Sequence, residues 1–535
     1  LSADRIDLRI VIEVTVTVYS FFNFRHSWSR CLKVASTDNP ERSTSGSASL
    51  DMEPDDLRAL SERAMELVAN YFANISELPI FPDMSGEDIK AQFDSTLPEM
   101  GAPLETIFAD YEKIIGASRH NGHPRFFGYV ASPATPPGAF ADLVASTLNT
   151  NVTAWRSAPA ATEIERTTVR WLGSLVGFSS DAHGLLTSGG SMANLTALLM
   201  AQRSRAPTTS SESGLWNAGP PMTAYASDQT HLSIAKAADI LGFGRNHMRP
   251  VKSDASFKLD IRDLSEQIAA DRENGLRPFC VVASAGTTST GAIDPLMDVA
   301  DVAAANDLWF HVDGAYGALG AMAQQARGSF AGIEKADSLT LDPHKWLYTP
   351  VDSGCLLFRN PAAARHAFST DADYIKVHQQ GETEAFAFWD YGMELSRRFR
   401  ALKIWMTLRH YGARRIAAAI EHDIAMARYM ATCVEASDDF ELLAPVELSI
   451  CCFRYLPPGT IARLAHANES ERADLDGELN ELNARIMHAV QREGRAYLSS
   501  ADLDGKFALR ACIMNFRTER ADIDATLDIV REAAG

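Results

Sequence analysis

Positive charge, paired cysteines and long apolar runs are all in short supply in this sequence. Fifty Lys and Arg stand against 69 Asp and Glu, a formal net charge of −19, which argues against nucleic acid or an anionic membrane surface as a partner. The seven cysteines, at 31, 280, 355, 433, 451, 452 and 512, follow no metal-ligand spacing, and no metal is expected. Cys451 and Cys452 are neighbours in a strand-like run and cannot readily bridge each other, so reduced thiols in a cytoplasmic protein are expected. No internal repeat stands out. Near the amino end Arg9 to Val18 alternates like a strand, yet its apolar part is short and interrupted by Glu13, too polar for a membrane span. As a signal peptide with Arg5 and Arg9 at its basic end, it lacks a small-residue cleavage site. Residues 1–50, ending in the serine-rich stretch from Ser36 to Ser49, read as a dispensable, poorly ordered extension.

What is present is a chain of 535 residues, enough for two or three cores. Helical periodicity begins at Met52, with Leu57, Leu60, Ala64, Leu67, Val68 and Tyr71 on one face. Residues 51–135 read as a helical amino-terminal segment. Alternating strands and helices over 136–415 suggest an α/β fold with a mainly parallel sheet. A smaller α+β domain follows over 416–535, with strands near Glu447 to Tyr455 and Phe507 to Met514.

Three segments carry chemistry. In Asp342-Pro343-His344-Lys345-Trp346 a lysine sits between two short buried strands, Ala336 to Leu341 and Gly354 to Phe358. Lysines are rarely kept there without a reason, and one reason is covalent: a Schiff base with a carbonyl cofactor. A surface lysine on a connecting loop is the equal alternative for the pentapeptide taken alone. Upstream, the run from Leu308 to Val312 ends in Asp313, an acid whose burial calls for a positive partner. A salt bridge or a helix cap would satisfy an isolated aspartate, but near Lys345 the pyridinium nitrogen of pyridoxal phosphate suits it better. Finally, Thr187-Ser188-Gly189-Gly190-Ser191-Met192 leads into a helical run, where glycines and free amides can cradle an anion. It matches neither a Walker loop nor the Gly-x-Gly-x-x-Gly dinucleotide fingerprint.

In their order, Thr187 to Ser191, Ser227-Asp228-Gln229-Thr230-His231, His311-Val312-Asp313 and Pro343 to Trp346 resemble the group II pyridoxal-phosphate decarboxylases, which act on aromatic amino acids, glutamate or cysteine sulfinate. The similarity extends through Glu394 to Trp405 and Lys506 to Cys512, covering about Met52 to Gly535. It implies a fold-type-I α/β architecture and pyridoxal phosphate as cofactor. It assigns Lys345 as covalent anchor, His231 and Ala315 to the two faces of the cofactor ring, and Asp313 to its nitrogen. Gly190, Ser191 and Met192 would hold the phosphate, with His344 and Asp342 beside them, and Thr287 or Thr288 would lie by the ring or the substrate carboxylate. The family also implies a homodimer with the site at the subunit interface.

The reaction implied is loss of carbon dioxide from an L-amino acid, aromatic first and acidic second, followed by return of a proton to give the amine. Two departures bear on it. Counting back from Arg397-Arg398, the position of the catalytic tyrosine is Phe388, which cannot donate a proton. Either Tyr391, three residues on, replaces it from a shifted loop in 382–391, or the proton comes from elsewhere, or the electrons pass to oxygen and an aldehyde forms. A protein with the fold and no catalysis is a third reading, disfavoured because Lys345, Asp313 and His231 are all present. Asp342 stands where aromatic enzymes carry asparagine, and is expected to point away from the phosphate or to bond to His344. For the substrate pocket, Tyr129 and Ser132 are expected in one wall, and Asn151, Thr153 and Trp155 in another. Thr153 makes it more polar, and Asn149 to Asn151 serve equally well as loop hydrogen bonders.

Overall fold

A computed structural model of the chain describes residues 50–207, 214–215, 219–369 and 383–535. Of the extension over residues 1–50 everything before Leu50 lies outside the described residues, as do its alternating run, Cys31 and Glu382. Two compact units are distinguished, one ending at Leu67 and the other Val68–Gly535. The first described helix, Pro54–Asn74, begins close to the expected position, and none of its residues is fully buried.

Seven strands form the main sheet: β1 (His183–Thr187), β2 (Met222–Ser227), β3 (Met248–Val251), β4 (Arg277–Ser284), β5 (Trp309–Asp313), β6 (Ser338–Leu341) and β7 (Gly354–Phe358). Their order is β1-β7-β6-β5-β4-β2-β3. Only β7 runs against the rest, pairing antiparallel with both β1 and β6. The pattern follows from composition. Phe279 to Ala283 in β4 and Cys355 to Leu357 in β7 are completely buried, as strands covered on both faces must be. Helix Gly190–Arg205 lies on the sheet through small residues such as Ala193, Ala197 and Ala201, which allow close approach.

Because six strands share a direction, their carboxyl ends open on one edge, where open α/β sheets bind ligands. Strand β1 delivers Ser188 to Met192 there, β2 leads to His231, β4 to Gly286–Thr288, β5 to Asp313–Ala315 and β6 to Asp342–Lys345. The lysine segment is a single helical turn, Pro343–Trp346, rather than the expected loop. Beyond the sheet, helix Ala401–Glu435, interrupted at Gly412, leads to a second, antiparallel sheet. Its order is β10-β11-β9-β8, from β8 (Phe440–Leu442), β9 (Ile450–Tyr455), β10 (Ser499–Leu503) and β11 (Lys506–Cys512). Helices Glu469–Glu493 and Arg520–Ala534 pack with it around Val490, Leu509, Ile523 and Leu527.

Two buried polar clusters brace the site edge. Glu165 pairs with Arg397 and accepts the Leu186 amide at 2.9 Å, while Arg397 donates to the Val152 carbonyl at 2.7 Å. Asp423 accepts the Trp346 indole N–H at 2.9 Å and the Tyr348 hydroxyl at 2.7 Å, which fixes the turn that carries Lys345. Burial pushes the Asp423 carboxyl up from 3.8 to about 7. The folded chain therefore holds a proton that the unfolded chain has released, so this group's stabilisation declines as pH rises through that window. Asp423→Asn keeps an acceptor for both donors and should flatten the decline. Thermal melts at about pH 5 and about pH 8 check it, and an unchanged difference between them would contradict the assignment.

Candidate active site

The strand ends enclose a cavity of about 280 Å³. Gly190, Ser191, Met192, His231, Thr287, Thr288, Asp313, Ala315, Asp342, His344 and Lys345 all line it, so the residues singled out around the lysine meet in one place. Lys345 Nζ lies 3.1 Å from Asp342 Oδ2, and His344 Nε2 lies 3.8 Å from the same oxygen. Asp342 thus turns mainly to the lysine, not away from the site or chiefly to His344, and its Oδ1 is buried with no hydrogen-bond partner.

Asp313 is 7% exposed. Its Oδ1 accepts the Ala315 amide at 3.1 Å and its Oδ2 the Asn194 amide group at 2.9 Å. His231 caps helix Leu232–Ile240, its Nδ1 accepting the Ser233 amide at 3.3 Å. Burial lowers the pKa of His231, with Asp313 opposing the shift, and burial likewise lowers that of His344 against the pull of Asp342. Thr287 spends its hydroxyl inside its own turn, 2.9 Å from that of Thr290, so Thr288 has the freer side chain.

The residues fit a phosphorylated, ring-bearing carbonyl cofactor. A Cβ built on Gly190 would stand 2.9 Å from the Ala315 Cβ and 3.0 Å from Asp342 Oδ2, so only glycine leaves the floor of the cradle open. The first turn of helix Gly190–Arg205 faces the cavity, and amides at that end lack intrahelical acceptors. A lysine and a buried carboxylate complete the donor set.

Other residues expected at the site lie away from this cavity within the chain. Phe388 is 1% exposed and does not line the cavity; its ring lies 4.0 Å from the Arg397 guanidinium carbon and edge-on to Phe386. Tyr391 also lies elsewhere, stacked on Phe386 and Phe358 in a separate pocket with Arg166 and His183. Asn151 bonds to the Leu395 carbonyl and the Arg397 amide, Thr153 accepts the Phe388 amide through its carbonyl, and the Trp155 amide donates to Phe386. These three pair with the 386–397 strip and do not line the cavity. Asn151 makes the hydrogen bonds of a loop residue.

Tyr129 is half exposed, in a cluster with Tyr497 and the Arg119 guanidinium. Ser132 lines an adjoining cavity of about 250 Å³, which shares Val351 with the first. Its hydroxyl donates to the His344 carbonyl at 3.2 Å. Sequence reasoning missed Asn194, His311, Ser233 and Arg510. Arg510 donates to the Thr288 carbonyl at 2.9 Å and keeps Nη2 buried and unpartnered. Its place in a quoted motif was the only signal.

A family model described as the pyridoxal-dependent decarboxylase conserved domain matches residues 86–456. The chain is 35% identical over 473 residues to an aromatic-L-amino-acid decarboxylase of Bacillus atrophaeus, covering 88% of this chain and 94% of that protein. It is 30% identical over 492 residues to a phenylacetaldehyde synthase of a Rosa hybrid cultivar, covering 90% and 94%. A crystal structure of Oryza sativa TDC with PLP and tryptamine matches with TM-score 0.82 and 28% identity, over 93% of this chain and 99% of that one. If the glycine floor receives the cofactor phosphate, Gly190→Val should weaken pyridoxal phosphate binding by about tenfold or more in an absorbance titration. Unchanged affinity would contradict the cradle.

Proposed function

The chain belongs to the pyridoxal-dependent decarboxylases, and from that premise we propose that it converts an aromatic L-amino acid to the amine and carbon dioxide. The observation that carries the reading is Lys345 in one cavity with Asp313, His231 and the Gly190–Ser191 turn. Pyridoxal phosphate bound there supplies an electron sink for the charge left when the carboxyl group departs. Lys345 would hold the cofactor covalently, and Asp342, 3.1 Å from its Nζ, would pair with the free ammonium group. Asp313 would pair with the ring nitrogen and keep its proton in place. His231 and Ala315 would flank the ring, the first-turn amides of Gly190 and Ser191 would take the phosphate with Met192 and His344 beside them, and Thr288 would meet the substrate carboxylate.

Two further readings each rest on one observation. The similarity to a phenylacetaldehyde synthase favours aldehyde formation, with oxygen as the electron acceptor. Arg119 and Arg517 line the adjoining cavity and no Asp or Glu among the described residues does, which favours an acidic side chain. The Arg517 guanidinium is desolvated there, and the titratable groups facing it are Tyr411 and Tyr71.

The family's homodimer is proposed here too. Phe140, Leu143, Val144 and Leu148 leave an apolar stripe exposed on helix Pro136–Leu148, immediately before the Asn149–Trp155 segment. Sedimentation at two concentrations tests it, and a persistent monomer would count against it. A cytoplasmic location agrees with six free cysteines among the described residues. No helix among those residues is long and apolar enough to cross a membrane.

Product analysis separates the readings. Tyrosine, tryptophan, DOPA, glutamate and cysteine sulfinate are each offered to the holoenzyme, and amine, aldehyde and peroxide are measured. An aromatic amine with no peroxide is expected, and Lys345→Ala should abolish both turnover and the absorbance band of lysine-bound cofactor. Aldehyde with peroxide would replace the first reading by the second. A preference for glutamate or cysteine sulfinate that Arg119→Leu removes would replace it by the third.

A further inference from the structure

Behind Asp313 and His231 runs a buried hydrogen-bond network that links them through one amide. His311 precedes Asp313 by two residues on β5, so both side chains emerge on the same face. Its strand partner in β6 is Ser338. Ser338 Oγ lies 2.9 Å from His311 Nδ1 and accepts the Trp309 indole N–H at 2.9 Å. On its other side, His311 Nε2 lies 3.1 Å from Asn194 Oδ1. The Asn194 amide group then donates twice, to Asp313 Oδ2 at 2.9 Å and to Ser233 Oγ at 3.0 Å. Ser233 Oγ in turn lies 2.8 Å from His231 Nδ1. Asn194 is 1% exposed and His311 fully buried, so water does not compete.

Elementary donor and acceptor rules orient every hydrogen in this network. A carboxylate only accepts, so the NH₂ side of Asn194 must face Asp313 and its oxygen must face His311. His311 Nε2 therefore carries a hydrogen. Burial pushes the His311 pKa down to about 4, leaving the ring neutral. Its Nδ1 is then bare and takes the Ser338 hydroxyl hydrogen. In the other branch the Ser233 backbone amide donates to His231 Nδ1, so that nitrogen is bare as well. The Ser233 hydroxyl accepts from Asn194 and gives its own hydrogen to His231. The mobile hydrogen of neutral His231 is left on Nε2, on a ring that lines the cavity.

We propose that His311 is a positioning residue: it locks the orientation of the Asn194 amide, and through that amide presents Asp313 as a carboxylate and His231 as an Nε2–H donor to the cavity. A flipped amide would set its oxygen against the Asp313 carboxylate and lose the bond to Ser233 Oγ. The Asp313 carboxylate selects this orientation from one side, and the Nε2–H of His311 holds the amide oxygen from the other. The consequence for cofactor binding rests on the function proposed above, whereas the placement of the hydrogens does not.

The direct test is neutron diffraction from the perdeuterated protein. Deuterium is expected on Nε2 of both His311 and His231 and on Nδ1 of neither; density on either Nδ1 would overturn the proposal. A second test reads the functional consequence through pyridoxal phosphate affinity and the pH midpoint of the bound cofactor's absorbance. His311→Phe fills the space without an N–H and should weaken binding by about tenfold with a shifted midpoint. His311→Gln, which restores an N–H at similar reach, should return affinity to within about threefold. Equal losses in both variants, or none in the first, would overturn it. Failure of the unaltered protein to take up the cofactor would instead remove the functional reading, while the neutron density still decides the hydrogens.

Discussion

A carboxylate buried at the carboxyl end of β5 sets the terms for the rest of this site. Taking such a charge out of water costs several kcal/mol, about what a well-made set of partners can return. Asp313 meets that requirement on its protein side through the Ala315 amide and the Asn194 amide group. The side facing the cavity is left for a cation, with Lys345 among the residues across the space. The sheet explains how this is arranged. Six strands pointing the same way bring their ends to one edge, so short segments far apart in sequence converge without long loops.

Rigidity behind that edge comes from polar groups buried in pairs. The Arg397–Glu165 pair ties the strip after Phe386 to β1, and Asp423 grips Trp346 and Tyr348 on either side of Leu347. The His311–Asn194 network does the same for the two residues expected against the cofactor ring. By contrast the adjoining cavity is lined by Arg119 and Arg517 among aromatic and apolar side chains such as Tyr71, Phe72 and Ile75, with no carboxylate among the described residues. The two neighbouring cavities share Val351 and are linked by the bond from Ser132 to the His344 carbonyl.

Strands of the main sheet were legible in the sequence because strands buried on both faces are written as unbroken apolar runs, as in Leu308 to Val312 and Gly354 to Phe358. The cavity residues were legible for a related reason: each follows the end of such a run. What could not be read was which way a side chain faces once the chain has left the sheet. Counting from Arg397 identified Phe388 and Tyr391 by type, but the Arg397 guanidinium holds the Phe388 ring inward and Phe358 and Phe386 hold Tyr391. Asn151 was balanced between ligand and loop because an amide serves both, and here it bonds to the backbone at Leu395 and Arg397. Asn194 and Ser233 gave no signal and His311 only its place in the Asp313 motif, since their meaning lies in hydrogen bonds between residues up to 119 positions apart.

The central claim is that Lys345 carries the cofactor in the cavity shared with Asp313. Borohydride reduction of the holoenzyme followed by peptide mapping tests it most directly, because reduction makes the lysine–cofactor bond permanent. The account predicts a pyridoxyl-phosphate mass increment on the peptide containing Lys345. A label on another lysine, or none on a protein that has taken up pyridoxal phosphate, would contradict it.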